Sequence, residues 1–209
     1  FVFGGYSLDC EKLIAQLGRD TARGLYQLTL DGVEVIRHRI ANYQIDCHYQ
    51  PSGILLANWF DDEHALQQTH DFMQREFGVE WRMLGREETH HRLKSVRYFG
   101  ALEQRDAFHF HPLRYAQGLA QVIADHGGRV YEDARVMSIQ PEGEGYKVCT
   151  VGGEVSAQHV VLACGGYIEK LHPKLARAVL PIATYVMATE PLGDKLRTAI
   201  SSSLSCSEA

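Results

Sequence analysis

Apolar side chains recur at helical spacing through the first part of the chain. A helix is predicted from Leu8 to Leu17, capped by Ser7. A second begins near Asp20 and runs to Asn42, with Ala22, Leu25, Leu28, Gly32, Val33, Ile36 and Ile40 in its stripe. The period then shortens. Ile45–Tyr49 and Gly53–Asn58 read as the two arms of a β-hairpin turned at Pro51-Ser52-Gly53. Asp61 stands as the cap of a third helix reaching about Phe77, whose apolar face carries Leu66, Thr69, Met73 and Phe77.

Val79–Leu84 reads as a strand, Arg86–Leu93 as a short helix and Arg97–Phe110 as one or two strands. His111-Pro112 opens a helix with proline at its first position, continued by Leu119, Val122 and Ile123 and stopped by Gly127-Gly128. Arg129–Tyr131, Ala134–Gln140, Tyr146–Val151, Val155 and His159–Ala163 read as successive strands, turned at Gly143-Glu144-Gly145 and Gly152-Gly153. The last is nearly all apolar and is expected at the centre of its sheet. Helices and strands interleave without an internal repeat, which predicts an α/β fold of mixed α+β type and argues against a helical bundle or a β-sandwich.

The chain has 209 residues, room for one large or two small intertwined domains. Its formal net charge is −5 and its basic residues are scattered singly, so nucleic acid is not an expected partner. Apolar runs such as Val160–Cys164 fall far short of the about 20 residues that cross a bilayer, and no membrane partner is expected. Five cysteines, widely spaced and without a C-x-x-C pair, indicate neither a disulfide framework nor a zinc knuckle, and point to a reducing cytoplasm. The chain opens without Met on Phe1-Val2-Phe3-Gly4-Gly5, which reads as the end of a loop, so an internal piece of a longer protein is expected.

The segment most suggestive of chemistry is Val160–Tyr167. A buried strand ending in Gly165-Gly166 lets the backbone approach a ligand at the carboxyl edge of a sheet, although the same pair also makes an ordinary turn. His109 and His111 alternate along an extended segment and would offer two metal ligands, with Asp106 as a third donor. No further Cys or His completes such a site. The reading preferred on the residues makes His111 a helix cap, places His109 at the border of a cavity and expects no metal. No G-x-S-x-G elbow is present, so nucleophilic hydrolysis has no support.

Gly127–Glu132, Val136, Val160–Tyr167, Pro181 and Ala188–Leu192 occur in an order that resembles the FAD-dependent D-amino acid oxidase family. Within it, Tyr43–Cys47, Tyr98-x-Gly100-Ala101-Leu102 and His109-x-His111-Pro112 resemble members that oxidise gamma-glutamylputrescine. The resemblance implies an FAD-binding part at 1–42 and 111–180 and a substrate part at 43–110 and 181–209. It implies flavin contacts at Phe1, Val2 and Phe3, an adenine contact at Val136, and dinucleotide packing at Ala163, Cys164 and Gly165. His109, Tyr98 and Tyr185 are its substrate-side candidates, and the partner it implies is a small-molecule amine. The family's G-x-G-x-x-G pyrophosphate loop is not among these residues, since Gly143-Glu144-Gly145 sits in a hairpin turn with no helix after it. The alternative is a non-catalytic scaffold that keeps the fold without that loop.

Overall fold

Helix α1 spans Cys10–Leu17 and α2 spans Arg19–Asn42, and Gly18 serves both. Its φ of 81° is open to glycine at little cost, its N–H donates to the Ile14 carbonyl, and its own carbonyl accepts from Ala22 N–H. The sequence expectation of a Ser7 cap is corrected: α1 starts at Cys10 after Asp9, whose carboxylate pairs with Lys12 at 3.0 Å instead of capping. Ala22, Tyr26, Val33 and Ile40 form the buried stripe of α2, as the helical period requires. Described in this computed structural model are residues 1–180, 182–183, 185 and 190–195. The chain falls into two units, Phe1–Gly127 with Thr189–Ala209, and Gly128–Ala188.

The first unit places a three-stranded antiparallel sheet beside these helices. Strand β1 is Ile54–Ala57, β2 is Arg82–Leu84 and β3 is Ala101–Gln104, in the order β1-β3-β2 with Leu102 opposite both Leu56 and Met83. The hairpin expected from Ile45–Tyr49 and Gly53–Asn58 does not form. β1 pairs with β3, while Gln44 and His48 take positive φ and break the earlier arm. Helix α3, Glu63–Phe77, is capped by Asp62, whose Oδ1 accepts from Ala65 N–H at 2.9 Å. Asp61, the expected cap, pairs with Arg86 of helix α4, Arg86–Leu93. Helix α5 covers Pro112–Asp125, with His111 Nδ1 accepting from Arg114 N–H, as its sequence predicts.

The core of this unit joins Val33 and Ile40 of α2 to Ile45, Cys47 and Phe108, with Tyr49, Phe110 and Tyr115 packed around them. Arg37 tethers the far side: it donates to Tyr49 Oη and to the Asp106 carbonyl, and its guanidinium lies 5.0 Å from the centre of the Phe108 ring. Two buried carboxylates are each ringed by three arginines. Glu76 meets Arg19, Arg23 and Arg75, and Glu103 meets Arg92 at 2.6 Å, Arg105 at 3.1 Å and Arg82 at 3.5 Å.

The second unit is an antiparallel meander of β4 Val136–Glu142, β5 Gly145–Thr150 and β6 Glu154–Ala157. Gly143, with φ 58°, turns β4 into β5, and Thr150 Oγ1 accepts from Gly152 and Gly153 N–H to turn β5 into β6. A 3₁₀ turn at Gly165–Ile168 and helix α6, Pro173–Ala178, follow. The strands expected at Arg129–Tyr131 and His159–Ala163 are absent, and Val161, expected at the centre of a sheet, is 86% exposed. A strand exists by its ladder: these segments have the composition for one, but none of the described residues pairs with them.

Candidate functional site

The loop Phe1–Gly5 is fixed to the first unit at two points. Val2 bridges Phe108 through a pair of backbone hydrogen bonds of 2.7 and 3.1 Å, and Gly5 N–H donates to Thr29 Oγ1 at 2.8 Å. A Cβ at Gly4 would press on the end of the Leu30 side chain, which would have to shift to admit it. At the next position the φ of 123° of Gly5 favours glycine outright.

His109 lies beside this loop. Its backbone bridges Gln50, its ring meets the Phe1 ring edge-on at 5.7 Å between centres, and its Nδ1 is 3.4 Å from Ser52 Oγ. Its Nε2 is buried without a hydrogen-bond partner. Burial lowers the imidazole pKa below the ordinary histidine value, which favours the neutral ring. A neutral imidazole with an unpartnered, buried nitrogen can give or take one hydrogen bond according to its tautomer. His111 serves as the cap of α5, and among the described residues no group of three or more His, Cys, Asp or Glu side chains could hold a metal ion.

Tyr98 is half-buried, its ring 4.9 Å from that of Trp59 and its carbonyl accepting from His90 Nε2. Tyr185 is exposed. Of the sequence candidates in the first unit, the structure therefore gathers Phe1, Val2 and His109 into one cluster. Pro181, Ala188 and Thr189 of the matching blocks, with residues 196–209, lie outside the described residues.

In the second unit Val136 and Cys164 share the wall of an open cleft of about 1000 Å³, together with Ile139, Val148, Leu162 and Tyr167. Gly165 adopts φ 54°, and a Cβ built on it meets no atom within 4 Å, so its glycine serves the turn and leaves open space at its side. Ala163 precedes them, exposed. Sequence reasoning did not single out Ser52, although a serine beside Pro51 and Gly53 is a turn signal that places its hydroxyl near the next element.

Residues 2–206 match the FAD dependent oxidoreductase family. The chain is 36% identical over 192 residues to gamma-glutamylputrescine oxidoreductase of Escherichia coli, covering 91% of this chain and 45% of that protein. It is 28% identical to a probable oxidoreductase, OrdL, of Haemophilus influenzae, covering 94% and 47%. The chain thus spans about half the length of the curated relatives it matches. In fold it is similar to glycine oxidase from Geobacillus kaustophilus, with a TM-score of 0.65 and 21% identity over 73% of this chain and 43% of that one. These matches are to oxidoreductases and give the scaffold alternative no support.

Proposed function

The chain belongs to the family of FAD-dependent oxidoreductases, and from that premise we propose that the whole protein oxidises a primary amine at the end of a flexible chain to an aldehyde, through an imine that water hydrolyses. Gamma-glutamylputrescine is the leading substrate, and the observation that carries it is the 36% identity across 91% of this chain to an enzyme named for that compound. Each unit has a feature that supports a contact with a flavin dinucleotide. One is the cleft walled by Val136 and Cys164, and the other is the Phe1–Phe3 loop beside an unsatisfied His109 Nε2. When bound, FAD supplies the acceptor for the hydride leaving the amine carbon.

The chain's own residues bind, orient and exclude water. Phe1, Val2 and Phe3 are the proposed flavin-side contacts in their unit; Val136, Ala163, Cys164 and Gly165 are the proposed dinucleotide contacts in theirs. His109 contributes a neutral hydrogen-bonding nitrogen on the substrate side, and Tyr98 and Tyr185 are proposed as walls. The amine reacts in its uncharged form, which an apolar, desolvated surround favours without a dedicated base. We assign the cofactor part to 1–42 and 111–180, the substrate part to 43–110 and 181–209, and the protein to the cytoplasm. The test is the specificity constant of the whole protein, with its FAD content measured alongside. Gamma-glutamylputrescine is expected to exceed putrescine, sarcosine, glycine and D-alanine by at least about tenfold, a difference of about 1.4 kcal/mol in transition-state binding. Equal turnover of sarcosine or D-alanine overturns the substrate assignment, and a whole protein that retains no flavin overturns the reaction. Residues 1–209 alone are expected to purify colourless.

A further inference from the structure

Beneath the Gly4-Gly5 loop the first unit has an open cavity of about 470 Å³, walled by Phe3, Phe72, Met73 and Trp81. Two polar side chains from distant parts of the sequence open into it, Tyr26 of α2 and Gln104 of β3. Each residue is 4% exposed. Among the described residues neither the Tyr26 hydroxyl nor the Gln104 side-chain amide has a hydrogen-bond partner. Both groups sit on side chains that are otherwise packed away and open only to this cavity, so a guest there can take over the bonds that water makes with them.

The chemistry of the lining narrows the guest. Burial, then the nearby Cys10 and Asp106, push the Tyr26 pKa up to about 12, so its hydroxyl keeps its proton and is available as a donor. Gln104 adds one acceptor oxygen and an NH₂ donor. No lysine or arginine lines the cavity, while Asp9 and Glu11 do, so a free carboxylate has no counter-charge there. A neutral group presenting one carbonyl and one N–H can bond both side chains, and its aliphatic flanks pack on the aromatic and methionine walls.

We propose that this cavity holds an uncharged amide within the substrate's chain, Tyr26 donating to its carbonyl and Gln104 accepting from its N–H. The proposal rests on the amine-oxidation reading and deepens it: the cavity is the specificity element that separates an amide-bearing amine from a bare diamine or a small amino acid. Gamma-glutamylputrescine carries such an amide and putrescine does not, which makes the pair the probe.

In the whole protein, Tyr26→Phe and Gln104→Met are each expected to lower the preference for gamma-glutamylputrescine over putrescine about tenfold, chiefly through KM. That factor corresponds to about 1.4 kcal/mol, the loss of one neutral hydrogen bond. Tyr26→Phe removes a single oxygen and retains the ring that packs on Phe77, so it keeps the test independent of any folding defect in the Gln104 variant. An unchanged preference in Tyr26→Phe overturns the proposal while leaving the substrate assignment intact. Should neither amine be oxidised, calorimetric titration of gamma-glutamylputrescine into the wild type and Tyr26→Phe separates the two readings. Binding weakened about tenfold by the variant supports the cavity although the reaction fails, and equal binding or none overturns the cavity as well.

Discussion

The two units differ in what they do with their apolar residues. In the first, α2, β3 and the Phe108 segment close on one another. Phe108, Leu84, Ala22 and Ala101 are fully shielded from water, and even the polar pair Glu103-Gln104 lies inside. In the second, Ile168 is the only large apolar side chain among the described residues to be buried, while Met137, Val155, Val161 and Tyr167 stand exposed. Both stretches have a strand-like and helix-like composition. Whether that composition becomes a core depends on whether a partner surface is present to receive it.

The largest expected effect that would break this contrast is a matched truncation. Phe108→Ala empties a site packed by Tyr49, Phe110 and Arg37, and is expected to cost about 4 kcal/mol of unfolding free energy in urea melts; Val161→Ala, at an exposed position, is expected to stay within about 0.5 kcal/mol. Comparable losses at both positions would show that the second unit buries more than its described surface indicates.

Next in size is the carboxylate test. Burial raises the Glu103 pKa, but the hydrogen bonds and charges of Arg92 and Arg105 outweigh it, and the net value lies below the ordinary 4.5. A carboxyl whose folded pKa is depressed contributes stability that is present above its unfolded pKa and lost as pH falls through the folded one. The first unit is therefore expected to weaken on acidification below about pH 4.5, and Glu103→Ala to remove about 3 kcal/mol at neutral pH together with that part of the acid slope. In the second unit Lys147 spans Glu142 at 3.3 Å and Glu154 at 3.2 Å on an exposed surface, and Lys147→Ala should leave the melt scarcely changed. A pH-independent first unit would refute the account of Glu103.

The smallest effect sharpens the comparison at the level of the backbone. Gly53 and Gly165 both hold positive φ, at 71° and 54°. A Cβ at Gly53 would also come within 2.6 Å of the Gln104 carbonyl, whereas one at Gly165 meets open space. Gly53→Ala should cost about 2 kcal/mol and Gly165→Ala about 1 kcal/mol, the difference being the packing term alone. Equal costs would mean that β1 can move away from β3.

Helices were legible in the sequence because their signals are local. The apolar period of α2, the proline and His111 opening α5, and the span Arg86–Leu93 all follow from neighbours within a few positions. Where two caps compete, as at Asp61 and Asp62, sequence alone misjudges by a residue, because the loser is taken by a distant arginine. Strand pairing is not local: β1 finds β3 some 45 residues later, so the nearby hairpin was the wrong expectation. The site divides the same way. The cap role of His111 could be read from Pro112, but the lowered pKa of His109 comes from its burial, and that burial, like the meeting of Tyr26 with Gln104, depends on the whole tertiary arrangement of the first unit.

Helix α2 has a consequence for how this sequence can change over time. Over its 24 residues, about 36 Å, it holds the end of α3 through Arg19 and Arg23, the cavity through Tyr26, the glycine loop through Thr29, the core through Val33 and Ile40, and the Phe108 segment through Arg37. Each attachment depends on angular position around one axis. Inserting or deleting a single residue rotates everything beyond it by about 100°, turning every later anchor away from its partner at once. Relatives descended from a common ancestor should therefore show substitutions along this helix but no gaps in it, while length variation collects at turns such as Gly143-Glu144 and Gly152-Gly153, where an added residue displaces nothing.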